Sequence, residues 1–102
     1  MAIIQGVTPT FTLTVPETVD LTAAHNVYAT FTQGRMVLTK TGEAITVSEH
    51  AVDVYLSQEE SLKFSKGRVC IEMNWTFLDG SRGATDKWYA EWDDNLLPEV
   101  LT

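Results

Sequence analysis

Cysteine is almost absent from this chain. Cys70 stands alone, which excludes an intramolecular disulfide framework and any cysteine-based zinc site. A reactive thiol needs a neighbouring base, and no histidine lies near Cys70 in sequence. Histidine is scarce as well: His25 falls at the start of a predicted strand and His50 in a loop. Neither belongs to an HExxH or Ser-His-Asp pattern, and the chain has no CxxC and no glycine-rich phosphate loop. Basic residues are few: seven Lys and Arg against fourteen Asp and Glu give a formal charge of −7. The cations are scattered, so the chain repels phosphate backbones and nucleic-acid binding is not expected. The acidic excess reads as a solubility device.

Long apolar runs are missing too, so no membrane insertion is expected. Met1-Ala2-Ile3-Ile4 lacks the basic region and apolar stretch of a secretory signal peptide, which predicts folding in the cytosol. Release in a particle by lysis would need no such signal. Glu91, Asp93, Asp94 and Glu99 form one acidic cluster. Without the spacing of a calcium loop it reads as a solvated strand end. The expectation is a protein with no catalytic residues, no metal and no cofactor.

What the sequence does carry is a hairpin. Asp79-Gly80 is a strong signal for a two-residue turn, because its central positions need positive φ. That placement sets Leu78 against Ser81, Glu72 against Lys87 and Arg68 against Glu91, giving two opposite-charge cross-strand pairs. Val69, Ile71, Met73, Trp75, Trp88, Ala90 and Trp92 gather on one face, and a slip of one residue would expose them all. Asp86 is the polar exception on that face, opposite Met73. It reads as lying near the tip, where the face has left the core, because an isolated buried carboxylate is costly.

Period-2 alternation predicts further strands at Thr10–Val15, His25–Gln33, Met36–Lys40, Ala44–Val47 and Ala51–Leu56. Gly34-Arg35 and Thr41-Gly42 read as turns. Ser57 followed by Glu60 is a capping box and predicts one or two helical turns over Ser57–Leu62. At 102 residues the chain reads as one domain, with residues 93–102 as a C-terminal tail or last strand. Short strands with frequent turns predict an all-β antiparallel sandwich with one short helix, a small barrel being the alternative. Phe11, Phe31, Val54, Ile71 and Trp88 are expected to meet in its core.

Trp88 and Trp92 take the buried phase of the hairpin, whereas Trp75 near the tip and Tyr28 and Tyr89 on outer phases are candidate contact residues. Leu96, Leu97 and Leu101 extend the candidate interface into an apolar tail. The Thr10–Val15 strand carries no charge, which makes it the least protected edge candidate.

The order Gln5-Gly6-Val7-Thr8-Pro9-Thr10-Phe11-Thr12, Val19-Asp20-Leu21-Thr22 and Val27-Tyr28-Ala29-Thr30-Phe31 resembles a small phage tail or baseplate protein. Val54-Tyr55-Leu56-Ser57-Gln58-Glu59-Glu60-Ser61-Leu62, Asn74-Trp75 and Asp79-Gly80-Ser81-Arg82 extend the resemblance over nearly the whole chain. The pattern is similar to the immunoglobulin-like N-terminal module of phage baseplate upper proteins. The resemblance implies an immunoglobulin-like sandwich without catalytic residues. It further implies a structural role in a virion or prophage, and partners that are other phage structural proteins or further copies of the chain. Its setting would be the virion, or the bacterial host cytoplasm during assembly. A carbohydrate-binding module that stacks sugars on Trp75, Tyr89 or Tyr28 is the alternative.

Overall fold

The computed structural model describes residues 2–102. Its strands are β1 (Ile3–Ile4), β2 (Thr10–Thr14), β3 (Asn26–Gln33), β4 (Met36–Thr41), β5 (Ile45–Val47), β6 (Ala51–Tyr55), β7 (Gly67–Thr76), β8 (Arg82–Ala84) and β9 (Trp88–Asp93). One helix, α1 (Gln58–Leu62), follows β6, and 3₁₀ turns occupy Leu21–Ala23 and Gly42–Ala44. The fold is all-β, in two sheets. The larger has the order β1-β9-β7-β3-β4, with β8 paired to β7; the smaller has the order β2-β6-β5. β1 runs parallel to β9, so the larger sheet is mixed rather than wholly antiparallel.

The predicted hairpin register holds at the base and fails at the tip. Arg68 faces Glu91 and Ile71 faces Trp88, as the charge pattern requires. Nearer the tip Trp75 faces Gly83 and Thr76 faces Arg82, one residue out of step with that register. The turn is the reason. Phe77 N–H donates to the Ser81 carbonyl and Gly80 N–H to the Phe77 carbonyl, both at 3.0 Å, so Leu78, Asp79 and Gly80 form a three-residue loop. Only Gly80 takes positive φ, at 89°. A type I turn closed by one left-handed glycine also suits the twist of the flanking strands. The Asp79 carboxylate accepts the Ser81 N–H at 2.8 Å, which fixes that form.

A bulge restores the register further down. Glu72 and Met73 on β7 are spanned by Thr85, Asp86 and Lys87, one residue more than the partner strand needs. Thr85, not Asp86, takes the place opposite Met73: its N–H donates to the Met73 carbonyl at 3.0 Å, and its hydroxyl accepts the Met73 N–H at 3.1 Å. Asp86 is exposed. Both expected ion pairs form, Lys87 Nζ to Glu72 at 3.3 Å and Arg68 Nε to Glu91 at 3.5 Å.

The sheets share one core. Leu13, Val52 and Val54 of the smaller sheet join Val27, Phe31, Val69, Ile71 and Met73 of the larger. Phe11 links them, with its ring centroid 5.5 Å from Phe31 and 6.1 Å from Trp92. Phe11 and Trp88 lie at the core's margin and stay partly exposed. Burial of each large apolar side chain stabilises the fold by roughly 1.5–3 kcal/mol.

The capping box forms as the sequence predicts. Ser57 Oγ accepts the Glu60 N–H at 3.2 Å, and the Glu60 carboxylate accepts the Ser57 N–H at 2.9 Å. Trp92 Nε1 donates to the Ser61 carbonyl at 3.2 Å, seating the short helix on the end of β9. Among the described residues no helix is long and apolar enough to cross a membrane.

Candidate functional site

Two surfaces collect the residues that the sequence nominates for contact. The first is the outer face of the larger sheet, where alternation along β3, β7 and β9 turns Tyr28, Cys70, Glu72, Asn74 and Tyr89 outward. Tyr28 is half-buried beside Asn74 and, with Thr30, Thr39, Thr76 and Arg82, lines a shallow cavity of about 410 Å³. Tyr89 is 58% exposed and faces Cys70 across the strands. The Arg68 guanidinium stands over its ring, 5.0 Å from the centroid. Hydrogen bonds from Asn74 and then Lys87 hold the Glu72 carboxyl below the usual carboxylate range. The face is polar and laced with ion pairs, and its two rings sit on different strands.

Trp75 does not belong to it. The indole is 5% exposed and packs beneath Gly83, where an added Cβ would overlap the ring. Its expected place near an open tip fails because β8 pairs with β7 and sets Gly83, which has no side chain, directly opposite Trp75, so the indole packs against that glycine and the apolar phase extends as far as Trp75. A glycine inside a strand marks such a close approach, and Gly83 was the signal in the sequence for it.

The tail makes the second surface. No strand follows Asp93. Leu96 is fully exposed, and Leu97, Val100 and Leu101 are about half exposed. The main chain is nevertheless tied down. Asn95 Nδ2 donates to the Gln5 carbonyl at 2.9 Å, Leu101 N–H donates to Gln58 Oε1 at 2.7 Å, and Gln58 Nε2 returns a bond to the Leu101 carbonyl at 3.1 Å. The apolar side chains are therefore displayed by a segment fastened to Gln5, just after β1, and to α1.

Two further cavities lie at the margins of the sheets. One, about 430 Å³, runs between the end of β2 and the bulge, lined by Thr14, Pro16, Val19, Trp75, Ala84, Thr85, Lys87 and Trp88 and bordered by the exposed Asp86. It is not legible in the sequence, since it depends on the bulge. The other, about 340 Å³, includes His25, Leu21, Val27, Thr41 and Ile45, and no serine, cysteine or carboxylate lines it among the described residues. His50 Nδ1 lies 2.7 Å from the Val19 carbonyl, with Nε2 3.4 Å from Glu49. The acidic residues near the end of β9 are engaged locally. Glu91 pairs with Arg68, and Asp93 lies 3.9 Å from Lys66 and accepts the Asp94 N–H. Among the described residues no group of three or more His, Cys, Asp or Glu could hold a metal ion.

Comparison of the chain with protein-family models, curated proteins and solved structures finds no match.

Proposed function

We propose that the chain is a non-enzymatic structural protein of a phage virion or prophage, making protein–protein contacts in a tail or baseplate. The residue resemblance supplies the setting. One structural observation supports the mode of action: the tail presents Leu96, Leu97, Val100 and Leu101 to solvent on a backbone anchored at both Asn95 and Leu101. A row of exposed apolar side chains on a fixed support is what a protein partner can cover at little ordering cost.

The strand order supports an immunoglobulin-like reading of the fold. In that scheme β2-β6-β5 corresponds to strands B, E and D, and β9-β7-β3-β4 to G, F, C and C′ of a variable-type sandwich. The helix α1 then lies at the E–F connection, and β1 sits on the edge beside G. Such a sandwich offers edges and end loops for assembly and needs no catalytic centre.

The carbohydrate alternative has less support. With Trp75 buried it keeps Tyr28 and Tyr89, and the guanidinium of Arg68 stands over the second. Glycan arrays and tryptophan fluorescence with added polysaccharide test it directly, and silence in both removes it. Gene context tests the structural reading: tail, baseplate or lysis genes as neighbours are expected, and a metabolic operon would overturn it.

A further inference from the structure

The geometry points to β2 as a self-pairing edge: we propose that two copies of this chain join antiparallel along Thr10–Thr14, merging their smaller sheets into one. In the order β2-β6-β5, β2 has a neighbour on one side only. Its register with β6 is unbroken from Thr10↔Tyr55 to Thr14↔Ala51, so no bulge twists the edge away. Leu56 N–H bonds to the Pro9 carbonyl, and Val15 N–H to the His50 carbonyl. In an antiparallel ladder these bonds assign residues 9, 11, 13 and 15 to β6, and the N–H and C=O groups of Thr10, Thr12 and Thr14 to the open side.

The occupant that fits is β2 of a second copy. A two-fold axis at Thr12 sets Thr12 against Thr12, Thr10 against Thr14, and Phe11 against Leu13. Every outward N–H and C=O of the three threonines then meets its complement. Thr–Thr pairs line the outer face and Phe–Leu pairs the inner face, both favourable cross-strand combinations. Charge agrees. The chain carries −7, yet residues 2–16 contain no charged side chain, and Glu17 would fall against Val7 of the second copy. The other edges are less suited: β1 has two residues, β5 and β8 have three each, and β4 carries Lys40. An isologous contact of this kind closes on itself as a dimer. This contact is independent of the tail or baseplate reading, because a protein in any setting could use it.

Sedimentation of the full chain up to about 1 mM reads the contact directly. Thr12→Pro removes a donor that β6 does not use, and Thr12→Lys puts like charges face to face on the axis. The native chain should show a concentration-dependent dimer. Both variants should raise its dissociation constant on the order of tenfold or more while keeping the far-UV circular dichroism of the native fold. Amide exchange on the native chain needs no variant: the Thr10, Thr12 and Thr14 amides should slow as concentration rises. A native chain monomeric throughout the range would overturn the proposal. So would a dimer that persists in both variants, or threonine amides equally slow at every concentration, which would mean that another segment already covers the edge.

Discussion

Lys40 Nζ stands 2.7 Å from both carboxylate oxygens of Glu60, clamping edge strand β4 to the capping box of α1. Lys40 and Glu60 are largely buried, at 12% and 20% side-chain exposure. Burial alone would push the Glu60 carboxyl up, but the bonds from Lys40 and the Ser57 N–H outweigh it and hold the group below its ordinary value. A depressed carboxyl stabilises the fold at pH above the unfolded value of about 4.3, and that contribution is lost as pH falls through the folded value. Glu60→Gln should cost about 1–3 kcal/mol at neutral pH, the range for a charge-assisted bond out of full solvent. Urea midpoints followed from pH 7 downward should converge for the two proteins once the native carboxyl is protonated. A constant gap across the whole pH range would contradict this role.

Gly80 and Gly83 are needed for different reasons, and substitutions separate them. Nothing lies within 4 Å of a Cβ built on Gly80, so Gly80→Ala meets only the cost of positive φ, about 1–2 kcal/mol. Gly80→Val should cost more, since a β-branched residue resists that region further. Gly83 has no positive φ, and there alanine meets the Trp75 indole. Gly83→Ala should cost about 1–3 kcal/mol through overpacking. It should also shift tryptophan emission, whereas Gly80→Ala should leave the emission unchanged.

Trp92 fills the core and satisfies the Ser61 carbonyl through its indole N–H. Trp92→Phe leaves a void and removes one of two bonds to the Ser61 carbonyl, which keeps the Phe64 N–H at 3.4 Å, and should lower stability by about 1–3 kcal/mol in denaturant titration. Exchange of the α1 amides should speed more than that of the β3 amides, since the helix loses its seat on β9.

The tail should be nearly dispensable for folding. A chain ending at Asn95 keeps the bond to Gln5 and loses exposed leucines plus the two Gln58 bonds. Its thermal midpoint should fall by no more than corresponds to about 1 kcal/mol. A larger loss would assign the tail a packing role in place of a contact role.

How far these features can be read from sequence depends on the range of the interaction that sets them. Ser57 and Glu60 are three residues apart, and their capping box is legible because both partners lie within one turn. The strands of the alternating segments emerge close to their predicted bounds because each alternation is a local record of one buried face. The pairing of β1 with β9 joins Ile3 to Trp92, and two residues of pattern cannot announce so distant a partner. The tip of the long hairpin is not legible because Asp-Gly serves two turn types, and the bulge at Thr85–Lys87 then hides the change of register from the base. That one-residue shift is why Asp86 leaves the position opposite Met73. The candidate contact residues divide the same way. Outward phase alone is enough to turn Tyr28 and Tyr89 away from the core, whereas the burial of Trp75 depends on the pairing that brings Gly83 opposite it.

The proposed role is tested most directly by quantitative mass spectrometry of purified phage or induced prophage particles from a strain that encodes this chain. Its peptides should appear at a fixed ratio to a tail or baseplate protein, and that signal should be lost when the tail is truncated at Asn95. Peptides abundant in the lysate but absent from intact, washed particles would contradict it.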